Sequence, residues 1–181
     1  MSNIKIKDLE FKKLLPAERI EKKIALLARQ INKDYEGRTP LFLPVLNGSF
    51  MFASDLLKEV TIPCRVSFVK ISSYAGATAS SGQLKTLIGH DESLFDLDII
   101  VVEDIVDSGL TLQRLLEDLR GRGAKSVEAV SLLRKQVARE KGIEVKYVGF
   151  DIDHEFVLGY GLDYDGLGRN LRDIYKQTDD K

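Results

Sequence analysis

With 181 residues, 44% hydrophobic and 30% charged, the chain has the balance of an ordinary globular domain, expected to span residues 1–181 as one unit. Lysine and arginine number 27 against 28 aspartates and glutamates, which leaves no basic footprint for nucleic acid, and no apolar run reaches the ~18 residues of a membrane span. The single Cys64 excludes an internal disulfide and a zinc set and suits a reducing cytoplasm, and Met1-Ser2-Asn3-Ile4-Lys5 carries no signal-peptide pattern.

Residues 4–15 are short and mixed, a peripheral strand or turn. From Pro16 onward, Ile20, Ile24, Leu27, Ala28 and Ile31 recur at helical spacing, which predicts an amphipathic helix ending near residues 34–37. Residues 41–46 (LFLPVL) read as the first core strand, with Pro44 awkward unless it falls near the strand's end. Asn47-Gly48-Ser49 is then a tight turn into a helix over residues 50–60, with Met51, Leu56 and Leu57 facing inward. Residues 65–71 alternate as a strand. Residues 72–82 (SSYAGATASSG) are small and poor in packing groups, either a surface excursion or a flexible lid, and residues 83–88 read as a strand returning from it.

Residues 98–102 (DIIVV) form an apolar, β-branched run of the kind buried in a parallel sheet, and the strand is expected to stop on Glu103 and Asp104. After Asp107-Ser108-Gly109-Leu110-Thr111, the stripe Leu112, Leu115, Leu116, Leu119 predicts a helix that ends at Gly121-Arg122-Gly123. Residues 126–133 and 145–150 complete the core strands, the former ending at Arg134-Lys135. Strands alternating with helices argue for a mainly parallel sheet covered on both faces. Residues 151–175, rich in acids, glycines and aromatics but without a period, are expected to form a small lobe over the ligand end of the sheet.

In such a sheet, ligands bind beyond the carboxyl ends of the strands. Glu103 and Asp104 can accept from vicinal sugar hydroxyls. A glycine-containing turn into a helix offers amides and a positive helix end to a phosphate. At Asn47-Gly48-Ser49, small residues let backbone amides approach a second phosphate group.

Residues 101–111, VVEDIVDSGLT, resemble the phosphoribosyl-pyrophosphate (PRPP) motif of the type I phosphoribosyltransferases. The resemblance covers roughly residues 40–175 and narrows to the hypoxanthine-guanine phosphoribosyltransferases. Leu46-Asn47-Gly48-Ser49 is similar to that family's pyrophosphate loop, whose first peptide bond is typically cis. Ser73-Tyr74 matches the closing loop, and Ser131-Leu132-Leu133-Arg134-Lys135 the strand whose lysine recognises the purine. Residues 148–150, 156–160 and 162–164 match the hood over the base, and Arg169 a pyrophosphate-contacting arginine.

The resemblance implies the type I phosphoribosyltransferase fold: an α/β core of about residues 16–150, a flexible active-site loop, and a C-terminal hood of about residues 151–175 to which the N-terminus can contribute. It also implies the residue roles. Glu103 and Asp104 accept from the ribose hydroxyls, directly or through water and Mg²⁺. Ser108, Gly109, Leu110 and Thr111 cradle the 5′-phosphate, and Asn47, Gly48 and Arg169 bind the pyrophosphate. Asp107 is the proton acceptor near purine N7. Lys135 donates to O6, Phe156 stacks on the base, Val157 presents its backbone to the base edge, and Asp163 holds a Mg²⁺ carried by the pyrophosphate. Tyr160 and Tyr164 read as packing residues.

The activity implied is Mg²⁺-dependent transfer of the phosphoribosyl group from PRPP to hypoxanthine or guanine by a cytoplasmic homodimer or homotetramer. Two alternatives stand beside it: a transferase for xanthine or adenine, and a non-catalytic RNA-binding regulator of the same fold, which the charge balance disfavours. The chain departs from some relatives by carrying Asn47 and Leu110 where a lysine can occur, and Glu155 before Phe156. The first two departures shift phosphate binding towards backbone amides and Mg²⁺.

Overall fold

The computed structural model describes residues 3–71 and 93–178, so the expected closing loop with Ser73 and Tyr74, and the returning strand of residues 83–88, lie outside the described residues. The elements are β1 (Ile4–Ile6), β2 (Leu9–Leu15), α1 (Ala17–Asp34), β3 (Leu41–Leu46), α2 (Phe50–Glu59), β4 (Arg65–Val66), β5 (Val69–Lys70), β6 (Asp98–Val106), α3 (Leu110–Gly121), β7 (Ser126–Lys135), α4 (Gln136–Glu140), β8 (Tyr147–Ile152), β9 (Val157–Leu158) and β10 (Ile174–Gln177). A parallel sheet of order β4-β3-β6-β7-β8, with β5 also on β3, forms the centre. The buried stripe of α1 (Ile20, Ile24, Leu27, Ala28, Ile31) packs with Phe52, Ala53 and Leu56 of α2 in one core cluster. A second cluster joins Leu112, Leu115, Leu116 and Leu119 of α3 to Leu43, Ile99 and Val101 of the sheet. Parallel strands buried on both faces account for the unbroken apolar runs in β3 and β6.

Four local expectations are revised. The β6 strand does not stop on its acids: pairing with β7 continues through Glu103↔Ser131, Ile105↔Leu133 and Val106↔Arg134, so both carboxylates lie inside the strand. Residues 65–71 split into β4 and β5. The Phe42 carbonyl accepts from Ser67 N at 3.1 Å, and Pro44, two residues on, faces the same neighbour. Its missing N–H therefore falls where the edge is already interrupted. In α2 the fully inward residues are Phe52, Ala53 and Leu56, with Met51 and Leu57 only partly buried. The last core strand runs two residues later than expected, over Tyr147–Ile152.

A second, antiparallel sheet of order β1-β2-β10-β9 joins the two ends of the chain beside the first. It is tied to the core at the start of α1, where the Ala17 amide donates to Asp173 Oδ1 at 2.8 Å. That carboxylate satisfies one of the amides a helix start leaves without an intrahelical partner.

Candidate active site

At the carboxyl ends of β3 and β6 lies a cavity of about 290 Å³, walled by Glu103, Asp107, Ser108, Gly109 and Thr111 and floored by Val45 and Ile105. Gly109 N-caps α3 in the left-handed conformation (φ 78°), and no side chain caps the helix. The first amides of α3 thus open onto the cavity edge with the positive end of a 12-residue helix behind them, an arrangement suited to an anion. Leu110, the first helical residue, is half exposed and adds no charge there.

Glu103 is buried, and burial first, then the neighbouring Asp104 charge, pushes its carboxyl well above the ordinary range. Burial pushes Asp104 up to about 6, with the Asp163 charge adding to the rise. The Ile105 amide, which donates to Asp104 Oδ1 at 2.8 Å, and the Arg169 charge oppose it. Two adjacent carboxyls are thus held where ionisation is disfavoured, a perturbation that concentrates at functional sites.

The Asn47-Gly48-Ser49 turn follows a cis Leu46–Asn47 peptide bond. A Cβ built on Gly48 would overlap Asp104 Oδ2, so only glycine lets this turn lie against that carboxylate. Gly161 (φ 98°) presses in turn on the Gly48 carbonyl, and a side chain there would collide with it. Arg169 Nη1 donates to the Gly161 carbonyl at 2.6 Å, and Arg169 Nη2 pairs with Asp163 Oδ1 at 2.6 Å. Asp163 Oδ2 also accepts from the Gly166 amide at 2.7 Å. Asn47, Gly48, Asp104, Asp163 and Arg169 are thereby drawn into one cluster beside the cavity.

Beside the cavity, Lys135 Nζ at the end of β7 donates to the cavity-lining Asp107 at Oδ2, 2.9 Å away. Val157 is buried in β9, while Phe156 is 41% exposed and packs on Phe11 and Tyr164. Phe11, the bond from Tyr164 to Asp8, and the bond from the Tyr160 hydroxyl to Asp55 Oδ2 at 2.5 Å have no counterpart in the motif reading. The only local hint was the glycine-flanked Tyr160, whose φ of 50° sits between two left-handed glycines.

The acids fit Mg²⁺. Glu103, Asp104 and Asp163 offer only oxygen, and among the described residues no three His, Cys, Asp or Glu side chains form a closed metal cage. Magnesium keeps several waters and is bound through one or two carboxylates plus phosphate oxygens, which a carboxylate set beside a phosphate cradle can share.

The Phosphoribosyl transferase domain family matches residues 10–165. Over 164 residues the chain is 42% identical to the hypoxanthine-guanine phosphoribosyltransferase of Bacillus subtilis, covering 91% of each chain. Over another 164-residue alignment it is 42% identical to that of Mycobacterium bovis, covering 87% of this chain and 81% of the relative. Among solved structures, Trypanosoma cruzi hypoxanthine phosphoribosyl transferase superposes with a TM-score of 0.85 at 35% identity, over 97% of this chain and 95% of that one. A hypoxanthine-guanine phosphoribosyltransferase from Bacillus anthracis gives 0.83 at 37% identity, over 91% and 97%. With the cavity, the uncapped helix start and the paired acids on the same sheet edge, the chain belongs to the hypoxanthine-guanine phosphoribosyltransferase family.

Proposed function

We propose that the protein transfers the 5-phosphoribosyl group of PRPP to N9 of hypoxanthine or guanine, giving IMP or GMP and pyrophosphate in purine salvage. The observation that carries this reading is the cleft itself: buried Glu103 with Asp104 beside it, an uncapped helix start and the Lys135–Asp107 pair meet at the carboxyl ends of the strands in a chain of this family. The bond between C1′ and the pyrophosphate oxygen breaks as N9 bonds to C1′, and the proton on N7 passes to Asp107. Glu103 and Asp104 accept from the ribose hydroxyls, and the ionised Asp104 favours the positive charge that builds on the ring. Ser108, Gly109, Thr111 and the first amides of α3 hold the 5′-phosphate. Arg169 and the Asn47–Gly48 amides receive the leaving group. Mg²⁺, when bound by Glu103, Asp104 or Asp163, supplies neutralisation of the pyrophosphate charge.

Lys135 donates to O6, and adenine's amino group would set donor against donor, a mismatch that such sites reject strongly. Phe156 stacks on the base and Val157 lends its backbone to the base edge. Residues 1–181 act as one domain in which the antiparallel sheet serves as the hood, and Ser73 and Tyr74 belong to the closing loop. A cytoplasmic homodimer or homotetramer completes the reading. Pyrophosphate release measured with PRPP and Mg²⁺ tests it. Release that starts on adding hypoxanthine or guanine, and stops on chelation, supports the proposal. Release with PRPP alone, or none with either base, defeats it.

A further inference from the structure

The hairpin between β1 and β2 turns at Lys7 and Asp8, and both side chains reach a turn near the other end of the chain. The Tyr164 hydroxyl donates to Asp8 Oδ1 at 2.8 Å, and Lys7 forms an ion pair with Asp165. Tyr164 and Leu167 exchange backbone hydrogen bonds at 2.9 and 3.0 Å, which closes that turn. The Tyr164 ring stands edge-on to Phe156, with centroids 5.7 Å apart and planes at 83°. Phe11 of β2 completes a three-ring cluster, 6.1 Å from Phe156 and 6.4 Å from Tyr164. Phe11 is fully buried and Phe156 is 41% exposed, so the exposed ring rests on the other two. A ring held from its edge and its base loses less freedom when a flat ligand lies on its open face.

This step rests on the reading that Phe156 stacks on the purine. We infer that Tyr164, fixed by Asp8 of the N-terminal hairpin, is a positioning residue for the purine, acting through Phe156 on base affinity and not on PRPP. Its sequence neighbour Asp163 is held independently by Arg169 and the Gly166 amide, so the pyrophosphate cluster does not depend on the phenol. The hairpin itself contributes nothing to the cavity lined by Ser108, Gly109 and Thr111.

Steady-state kinetics of the full chain, with hypoxanthine and PRPP varied in turn, test the inference. Tyr164→Leu should raise KM for hypoxanthine about 2- to 10-fold, the range to which one edge-to-face contact converts at tenfold per 1.4 kcal/mol, and leave KM for PRPP unchanged. Tyr164→Phe and Asp8→Ala remove the same hydrogen bond from its two ends. They should give smaller rises that match each other and do not add. In a Phe156→Leu background, Tyr164→Leu should have no further effect on KM for hypoxanthine.

A parallel rise in both KM values overturns the inference, as does a Tyr164 effect that persists without Phe156. Should Tyr164→Leu fail to fold in a thermal melt, the Tyr164→Phe and Asp8→Ala pair decides. A wild-type protein inactive on hypoxanthine and guanine overturns the transfer reaction and this inference together. An active wild type with unaltered variants overturns the inference alone.

Discussion

Lys135 Nζ and Asp107 Oδ2 lie 2.9 Å apart, yet their side chains are very unequally exposed, at 14% and 64%. The lysine is fixed at the end of β7, where it pairs with Ile152 of β8, while Asp107 follows the last residue of β6 and projects towards solvent. The carboxylate is therefore the partner that can swing. In the proposed reaction, a purine entering the cleft takes the ammonium at O6 and leaves Asp107 free to meet N7.

Replacing Lys135 by Met keeps an apolar stem in the mostly buried position and removes the ammonium. A hydrogen bond to a charged group contributes about 1.5–3 kcal/mol, so KM for hypoxanthine should rise about 10- to 100-fold. The preference for hypoxanthine over adenine should narrow at the same time. Competition assays with the two bases check this; an unchanged preference would remove Lys135 from base selection.

Gly48→Ala tests the contact between the pyrophosphate turn and the acid pair. The added methyl overlaps Asp104 Oδ2, and relieving it must move the turn or the carboxylate. A displacement of ~1 Å at a positioned group can cost about 10²-fold, so kcat/KM for PRPP should fall by about that factor. Circular dichroism should show the fold retained.

Asp104 links activity to stability with a definite sign. Its pKa is about 6 in the folded protein against an ordinary 3.8, so ionising it costs the folded state more than the unfolded one. The stability associated with this group is full below pH ~4 and is lost as pH rises through about 6. Above that, the burden is on the order of 3 kcal/mol. Asp104→Asn can still accept from the Ile105 amide. It should raise Tm at pH 7.5, at about 2–4 °C per kcal/mol relieved, and leave the pH 4 value closer to wild type. Its kcat/KM for PRPP should drop. Thermal melts at the two pH values read the first effect and initial rates the second; a variant no more stable at pH 7.5 would contradict the burial cost.

The parts of the site carried by contiguous residues were legible in sequence. The run of residues 101–111 holds both acids, the turn and the helix start, and local pattern suffices to read these, though not where the strand ends. Lys135 was legible for the same reason, at the end of an apolar strand. What escaped depends on partners far apart in the chain. Nothing near Gly161 says that the Gly48 carbonyl presses on it, and nothing near Ala17 says that Asp173 receives its amide. The aromatic run of residues 156–164 has no period because its order comes from left-handed turns and from pairing with β10, which in turn pairs with N-terminal β2. The extension of β6 through Glu103 and Asp104 reflects β7, whose length sets how far the ladder runs.

The decisive measurement is product formation from PRPP and Mg²⁺ with hypoxanthine, guanine, xanthine and adenine offered separately, with Asp107→Asn alongside wild type. Hypoxanthine and guanine should turn over, with little product from adenine. The variant should lose kcat by about 10²- to 10⁴-fold, the contribution of a placed proton acceptor, with PRPP binding retained. Turnover of adenine in place of the 6-oxopurines, or a variant as fast as wild type, would contradict the proposed reaction.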